Sequence, residues 1–196
     1  KLYNRTKSAC IPVGVVIYND NFKREYTECE KWRDNVYEEI EKLQPDFLVI
    51  ASSSEYTPLF LQKVINDNDN TEHVLRDGTI ATIEQLSRLA KQVVVIKDTP
   101  SFRRNPILCL QDESDLRRCS EPKEIALKDR FPWLNEIKTE RNNANIVSFE
   151  DIFCDSLHCY PFKDSYVTFR DRHHLSTIFS ATLGDEVLDR VFLMAY

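Results

Sequence analysis

Asp171 stands three residues before His174 in the stretch Phe169-Arg170-Asp171-Arg172-His173-His174-Leu175-Ser176, where an apolar helical pattern begins. A carboxylate beside an imidazole fixes the ring's tautomer and stabilises the imidazolium that forms when the other ring nitrogen takes a proton. The pair therefore has the chemistry of a base and its orienter, working for a serine nucleophile. The same spacing also fits an Asp that caps a helix or pairs with Arg170 or Arg172. A base of this kind needs a nucleophile, and Ser52, Ser53 and Ser54 stand together after an apolar run. Hydroxyls at a strand end close turns onto nearby backbone, or supply a replacement nucleophile. With neighbouring N–H groups they also hold a developing oxyanion, where one donor is worth roughly 3 kcal/mol. The oxyanion role is the one expected here for Ser52 and Ser53.

Cys10, Cys29, Cys109, Cys119, Cys154 and Cys159 fall in three sequential pairs bounded by polar or turn-forming residues. An even count in local pairs reads as a disulfide framework made in an oxidising compartment; six free thiols in a reducing one is the other reading. Among the connectivities open to six cysteines we expect the sequential one, because each bridge then closes only a short loop. Cys154, His158, Cys159, His173 and His174 bring zinc into question. No second ligand pair recurs at regular spacing, and disulfides would consume the thiols, so no metal is expected. The only glycines, Gly14, Gly78 and Gly184, leave no phosphate-cradling loop, and no organic cofactor is expected. A formal net charge of -6 argues against a nucleic-acid partner. Asn4-Arg5-Thr6 fits an N-glycosylation acceptor, a tripeptide that is common by chance. Phe60, Trp133 and Phe169 suit a sugar-lining surface or a core, and core packing is expected of each.

These residues need a frame. A chain of 196 residues, 42% hydrophobic, is long enough for one domain with a full core. No apolar run approaches the roughly 20 residues of a membrane span. The chain opens on Lys1-Leu2-Tyr3 without an initiator Met, as a processed piece would. Lys1 to Thr6 reads as the end of an edge strand. Cys29, Trp32, Val36, Ile40 and Leu43 recur at helical spacing until Pro45-Asp46. Phe47 to Ala51 and Val93 to Ile96 read as strands buried on both faces. Between them lie a polar stretch from Glu55 to Asp77 and a helix introduced by Thr82. Cys109 to Cys119 encloses a charged loop. A helix starts near Pro122 toward Trp133, Asn145 to Val147 reads as a short strand, and one last amphipathic helix carries Leu175 to Val191. This alternation implies an α/β layer fold with a mostly parallel sheet. In such folds the sites gather at strand C-terminal ends, where Ser52 to Ser54, Asp98-Thr99-Pro100 and the Asp171–His174 loop all fall.

Taken in order, several stretches resemble one family. These are Thr6 to Pro12, the Cys-x-x-Trp-Arg start at Cys29 to Arg33, Pro45 to Ser53, Val93 to Pro100, the two local cysteine loops, and Arg170 to Ser176. Together they are similar to SGNH-type hydrolase/acyltransferase domains attached to bacterial membrane acyltransferases that O-acetylate cell-surface glycans. The resemblance implies a three-layer α/β/α sandwich with a flavodoxin-like sheet, forming a single domain over residues 1–196. It assigns the base to His174 and the orienter to Asp171, and leaves His173 as a neighbour without a catalytic role. The partners it implies are a glycan acceptor, an acyl donor and a membrane acyltransferase domain upstream in the same polypeptide, outside the cytoplasm and tethered to the membrane. The family's nucleophile lies in a Gly-Asp-Ser-His-like turn, and no Gly-Asp-Ser occurs in this sequence. The expected chain is therefore a domain without its first strand and helix, inactive alone, with its serine upstream of residue 1. The alternatives are a non-catalytic carbohydrate-binding module of the same fold, or a carbohydrate or lipid esterase.

Overall fold

The structure, a computed structural model, describes residues 1–53, 71–127, 134, 137 and 141–192. The chain forms two compact units, Lys1–Ile96 with Phe131–Ile146, and Lys97–Arg130 with Val147–Tyr196.

The first unit begins with coil where an edge-strand end was expected: among the described residues, Lys1 to Thr6 pair with no strand. A two-residue hairpin, β1 (Tyr18–Asn19) against β2 (Arg24–Glu25), leads into helix α1 (Thr27–Leu43). Gln44 ends α1 in the left-handed region at φ 44°, its N–H closing on the Ile40 carbonyl. Strand β3 (Phe47–Ala51) runs parallel to β4 (Gln92–Ile96), with Val49 opposite Val94. Strand β6 (Ala144–Val147) completes the order β3-β4-β6. The Val93 N–H bonds Asn143 and the Lys97 N–H bonds Val147, so the partner advances with the strand and this pair is parallel as well. Helix α2 (Thr71–Leu89) crosses between β3 and β4.

One face of the sheet, made by Leu48, Ile50, Val93, Val95, Ala144 and Ile146, packs on Ile40 of α1 and on Ile83 and Leu86 of α2. At period two in the strands and period 3.6 in the helices, these are the apolar positions that chain geometry directs to one side. The reading of both strands as fully buried holds for β4 and fails for β3. Val93 and Val94 are almost wholly buried, whereas Val49 is 43% exposed, because β3 has a partner strand on one side only among the described residues.

Helix α2 starts eleven residues before the start that Thr82 signalled. Its hydroxyl does not cap the helix; it accepts the Gly14 N–H at 2.9 Å. The first turns of α2 are held by packing instead: Leu75 joins Ile11, Val15, Ile17, Tyr26 and Cys29 in a second core cluster. The buried amide of Asn143 closes the C-terminal end of α2, donating to the Ser87 carbonyl and, just past the helix, to those of Ala90 and Lys91. The centre of the polar stretch, Asn66 to Asn70, lies outside the described residues, as do Ser54, Phe60 and Trp133.

The second unit has little regular structure. Helix α3 (Pro106–Asp112) and a 3₁₀ turn at Leu116–Cys119 occupy the segment expected as a charged loop. Asn105 caps α3, with Pro106 in its first turn. Strand β5 (Glu121–Pro122), which pairs with β7 (His158–Cys159), leads into helix α4 (Lys123–Ala126), a single turn where a helix toward Trp133 was expected. Helix α5 (Glu150–Phe153) follows, and β8 (Phe162–Lys163) pairs with β9 (Tyr166–Val167). The expected final helix divides into α6 (Thr177–Thr182) and α7 (Gly184–Phe192). The hydroxyls of Ser180 and Thr182 bond carbonyls three residues back, and the Leu183 N–H closes on Ser180, which tightens and ends the first piece. Arg190 then fastens α7 with two bonds to the Asp151 carboxylate of α5 and one to the Ser148 carbonyl.

All six cysteines are bridged, Cys10–Cys29, Cys109–Cys119 and Cys154–Cys159. The sequence around the first bridge carries more than the bridge. The guanidinium of buried Arg33 reaches the Ile11 carbonyl and the Cys29 sulfur, and the Tyr37 hydroxyl donates to the Pro12 carbonyl. Cys29, Arg33 and Tyr37 thus clamp the N-terminal loop onto α1.

Gly78 lies on the α2 face that meets this loop, and a Cβ placed there runs into the Cγ1 of buried Val15. Gly78→Ala should destabilise the chain by about 1–3 kcal/mol of overpacking, larger than the roughly 1 kcal/mol that Ala gains in a helix. A urea unfolding midpoint that rises in the variant would show that Val15 moves aside freely.

Candidate active site

The Asp171–His174 loop is short and is anchored at both ends. Phe169 is fully buried among Phe102 at 5.0 Å and Phe153 at 5.3 Å between ring centroids, and Phe153 in turn meets Phe179 of α6. Phe169 therefore serves the core, as expected. On the other side Ser176 is the N-cap of α6, its hydroxyl accepting the Phe179 N–H and its own N–H reaching the Thr168 carbonyl. Phe169 bridges to Leu175, and the Arg170 N–H bonds the His174 carbonyl, so the turn closes on itself. Arg172 ties it to the residue after Ser101: its Nε donates to the Phe102 carbonyl, and the Phe102 N–H donates to the Arg172 carbonyl. Neither the Arg172–Phe102 pairing nor its place beneath the loop was legible in the sequence.

Within the turn, Oδ1 of Asp171 accepts the backbone N–H groups of His173 at 3.1 Å and His174 at 2.9 Å. The Nδ1 of His174 lies 2.8 Å from Oδ2 and 3.1 Å from Oδ1. Partial burial pushes the Asp171 carboxyl up, but the two N–H donors and the imidazole outweigh it and hold it at about 2. An ionised carboxylate accepts only, so Nδ1 carries the proton and donates, which leaves the Nε2 lone pair of His174 to act as a base. The His174 side chain is half exposed, as access to a substrate requires. Asp171 is thus no helix cap: that work falls to Ser176.

His173 is closer to this chemistry than the sequence indicated. Its ring centroid lies 4.0 Å from that of His174, and its Nδ1 lies 3.8 Å from Asp171 Oδ1. One donor atom from each of Asp171, His173 and His174 falls within 4.8 Å of the others, a set that suits a metal ion. The cysteines weighed for zinc are excluded as ligands, since Cys154 and Cys159 bond each other. A second Asp-x-x-His occurs at Asp155 and His158. There Oδ1 again accepts two N–H groups, from Leu157 and His158, but Oδ2 takes the Tyr160 hydroxyl at 2.7 Å. Ser52 and Ser53 follow β3 in the first unit, Ser52 half-buried and Ser53 exposed.

Asp171 lies below its ordinary 3.8, so its stabilising bonds are complete above that value and disappear as the pH falls through about 2. Asp171→Asn should therefore be less stable than the parent at pH 6, and the gap should close between about pH 4 and pH 2. Glu28 and Asp155, also held at about 2, remain in both proteins and cancel in the difference. Urea midpoints measured across this range check it; a gap that is constant with pH would mean that the carboxylate is not bonded as an anion.

The chain is similar over 92% of its length to the solved periplasmic domain of a lipopolysaccharide acetyltransferase from Salmonella ser. Paratyphi A, of which it covers 68%, with a TM-score of 0.66 and 16% identity. At that identity the likeness concerns the fold, a mixed α/β fold with a parallel sheet. No curated protein matches the sequence. The model of the SGNH domain, described as fused to AT3 domains, matches residues 1–189 and so runs through both units. On that match, which ends beyond the Asp171–His174 turn, the chain belongs to the SGNH domain family.

Proposed function

We propose that this chain is the base-bearing part of a serine-dependent O-acyltransferase acting on surface glycans. The observation that carries the reading is the 2.8 Å bond between His174 Nδ1 and an Asp171 carboxylate held in its ionised form. Membership of a family whose domains are fused to AT3 domains supports it.

In the reaction, a serine hydroxyl attacks the acyl donor's carbonyl carbon and its proton passes to Nε2 of His174. Asp171 holds the ring and stabilises the imidazolium. The tetrahedral adduct collapses, the donor's leaving group takes the proton back from Nε2, and an acyl-serine remains. A glycan hydroxyl then attacks the acyl carbon with His174 again as base, and the serine is regenerated; water in its place gives hydrolysis. Ser52 or Ser53, with backbone N–H groups, is assigned to the oxyanion. No Gly-Asp-Ser occurs among the 196 residues, so the reading draws its nucleophile from outside them. The acyl donor is supplied by a membrane acyltransferase domain upstream in the same polypeptide. Three disulfides fit an extracytoplasmic site of action. Among the described residues no helix is long and apolar enough to cross a membrane, and the tether is assigned to that upstream domain.

Residues 1–196 alone are expected to leave p-nitrophenyl acetate unhydrolysed. A longer polypeptide bearing the serine should turn it over and should lose at least about a thousandfold in kcat with His174→Ala. Turnover by residues 1–196 that disappears with His174→Ala would place the nucleophile inside this chain and overturn its assignment elsewhere.

A further inference from the structure

We propose that Asp171, His173 and His174 form a binding site for one divalent transition ion of the zinc class, and that the ion and the base function of His174 exclude each other. Two imidazoles and one carboxylate are a ligand set that zinc takes with a water completing the tetrahedron. Three donor atoms, one from each residue, lie within 4.8 Å of one another; tetrahedral bonds of about 2 Å set ligand atoms roughly 3.3 Å apart, so side-chain rotation has to close the longest of these separations by as much as about 1.5 Å. The turn is largely preformed: the His173 and His174 N–H groups both bond Asp171 Oδ1, and the Arg172–Phe102 pairing fixes the backbone between them. The opposing charges are Arg170, whose Nε is 3.8 Å from Asp171 Oδ2, and Arg172, whose Nε donates to the Phe102 carbonyl.

Exclusion follows from the imidazole tautomer. In the acid–base pair His174 carries its proton on Nδ1 and keeps the Nε2 lone pair. Coordination through Nδ1 needs that nitrogen's lone pair, so the proton moves to Nε2 through solvent. A protonated Nε2 accepts nothing from a serine hydroxyl. Binding of the ion is independent of the proposed reaction; the inhibition rests on it.

Titration of zinc or cobalt(II) into residues 1–196 tests the site. One ion should bind per chain, with visible cobalt bands of tetrahedral nitrogen and oxygen ligation. His173→Ala and His173→Gln should each weaken binding roughly tenfold or more, since loss of an outer-shell partner already costs that much. Arg170→Ala should tighten it. His158→Ala should bind as the parent does, because Asp155 gives its second oxygen to Tyr160. Absence of binding at millimolar ion, or binding unchanged in both His173 variants, overturns the site. In the serine-bearing polypeptide zinc should inhibit, and His173→Ala should relieve the inhibition. Binding without inhibition would leave the site standing and overturn both the exclusion and the role of His174 as base.

Discussion

A single carboxylate, that of Asp171, sets both the backbone and the chemistry of the turn. Its Oδ1 collects two consecutive backbone N–H groups, those of His173 and His174, and so closes the turn on itself. Once the carboxylate is fixed by the backbone, the imidazole three residues on meets it at 2.8 Å. Local hydrogen bonding thus accomplishes what many sites achieve through tertiary packing. The core contributes the anchors on either side, Phe169 buried among aromatic rings and Ser176 capping α6. Between them the chain has too few residues to reach a core of its own, and the carboxylate takes its place.

The Asp155 turn shows what this device does not determine. Both turns read Asp-x-x-His, and both carboxylates receive the N–H groups two and three residues on and are held at about 2. In the first turn the free oxygen takes a tyrosine hydroxyl, and in the second an imidazole. Spacing specifies the turn, whereas the side chain that fills the remaining acceptor decides whether it holds a base. A Tyr five residues after the Asp, a feature of the sequence, separates the two cases.

The same distinction between local and assembled features runs through the rest of the chain. Helix α1 and strand β4 were legible because the apolar spacing is regular and the ends carry their own signals, such as Pro45. The start of α2 was not, because Thr82 looks like a cap in sequence and its hydroxyl is taken by the Gly14 N–H, 68 residues away. The division of the last helix was hidden for a related reason: its apolar period continues across Leu183, while hydroxyls at Ser180 and Thr182 compete for the carbonyls that would carry the helix on. The dyad was legible as a pair of residue types at a spacing; the approach of His173 was not, since neighbouring residues in an extended chain face apart and only the turn brings the rings to 4.0 Å.

The second unit carries the dyad on strands of two residues and helices of four to nine, which contribute few ladder hydrogen bonds. Its two disulfides span sequence separations of 10 and 5, and loop closure of that size is worth about 2–3 kcal/mol each. Cys109 lies in α3 and Cys119 ends the 3₁₀ turn two residues before Glu121 of β5, the strand that pairs with β7, and Cys159 of that pair bridges to Cys154. The β5–β7 pair is therefore bordered by covalent links on both strands. Covalent cross-links supply here what a longer sheet would supply elsewhere, and they form only where thiols are oxidised.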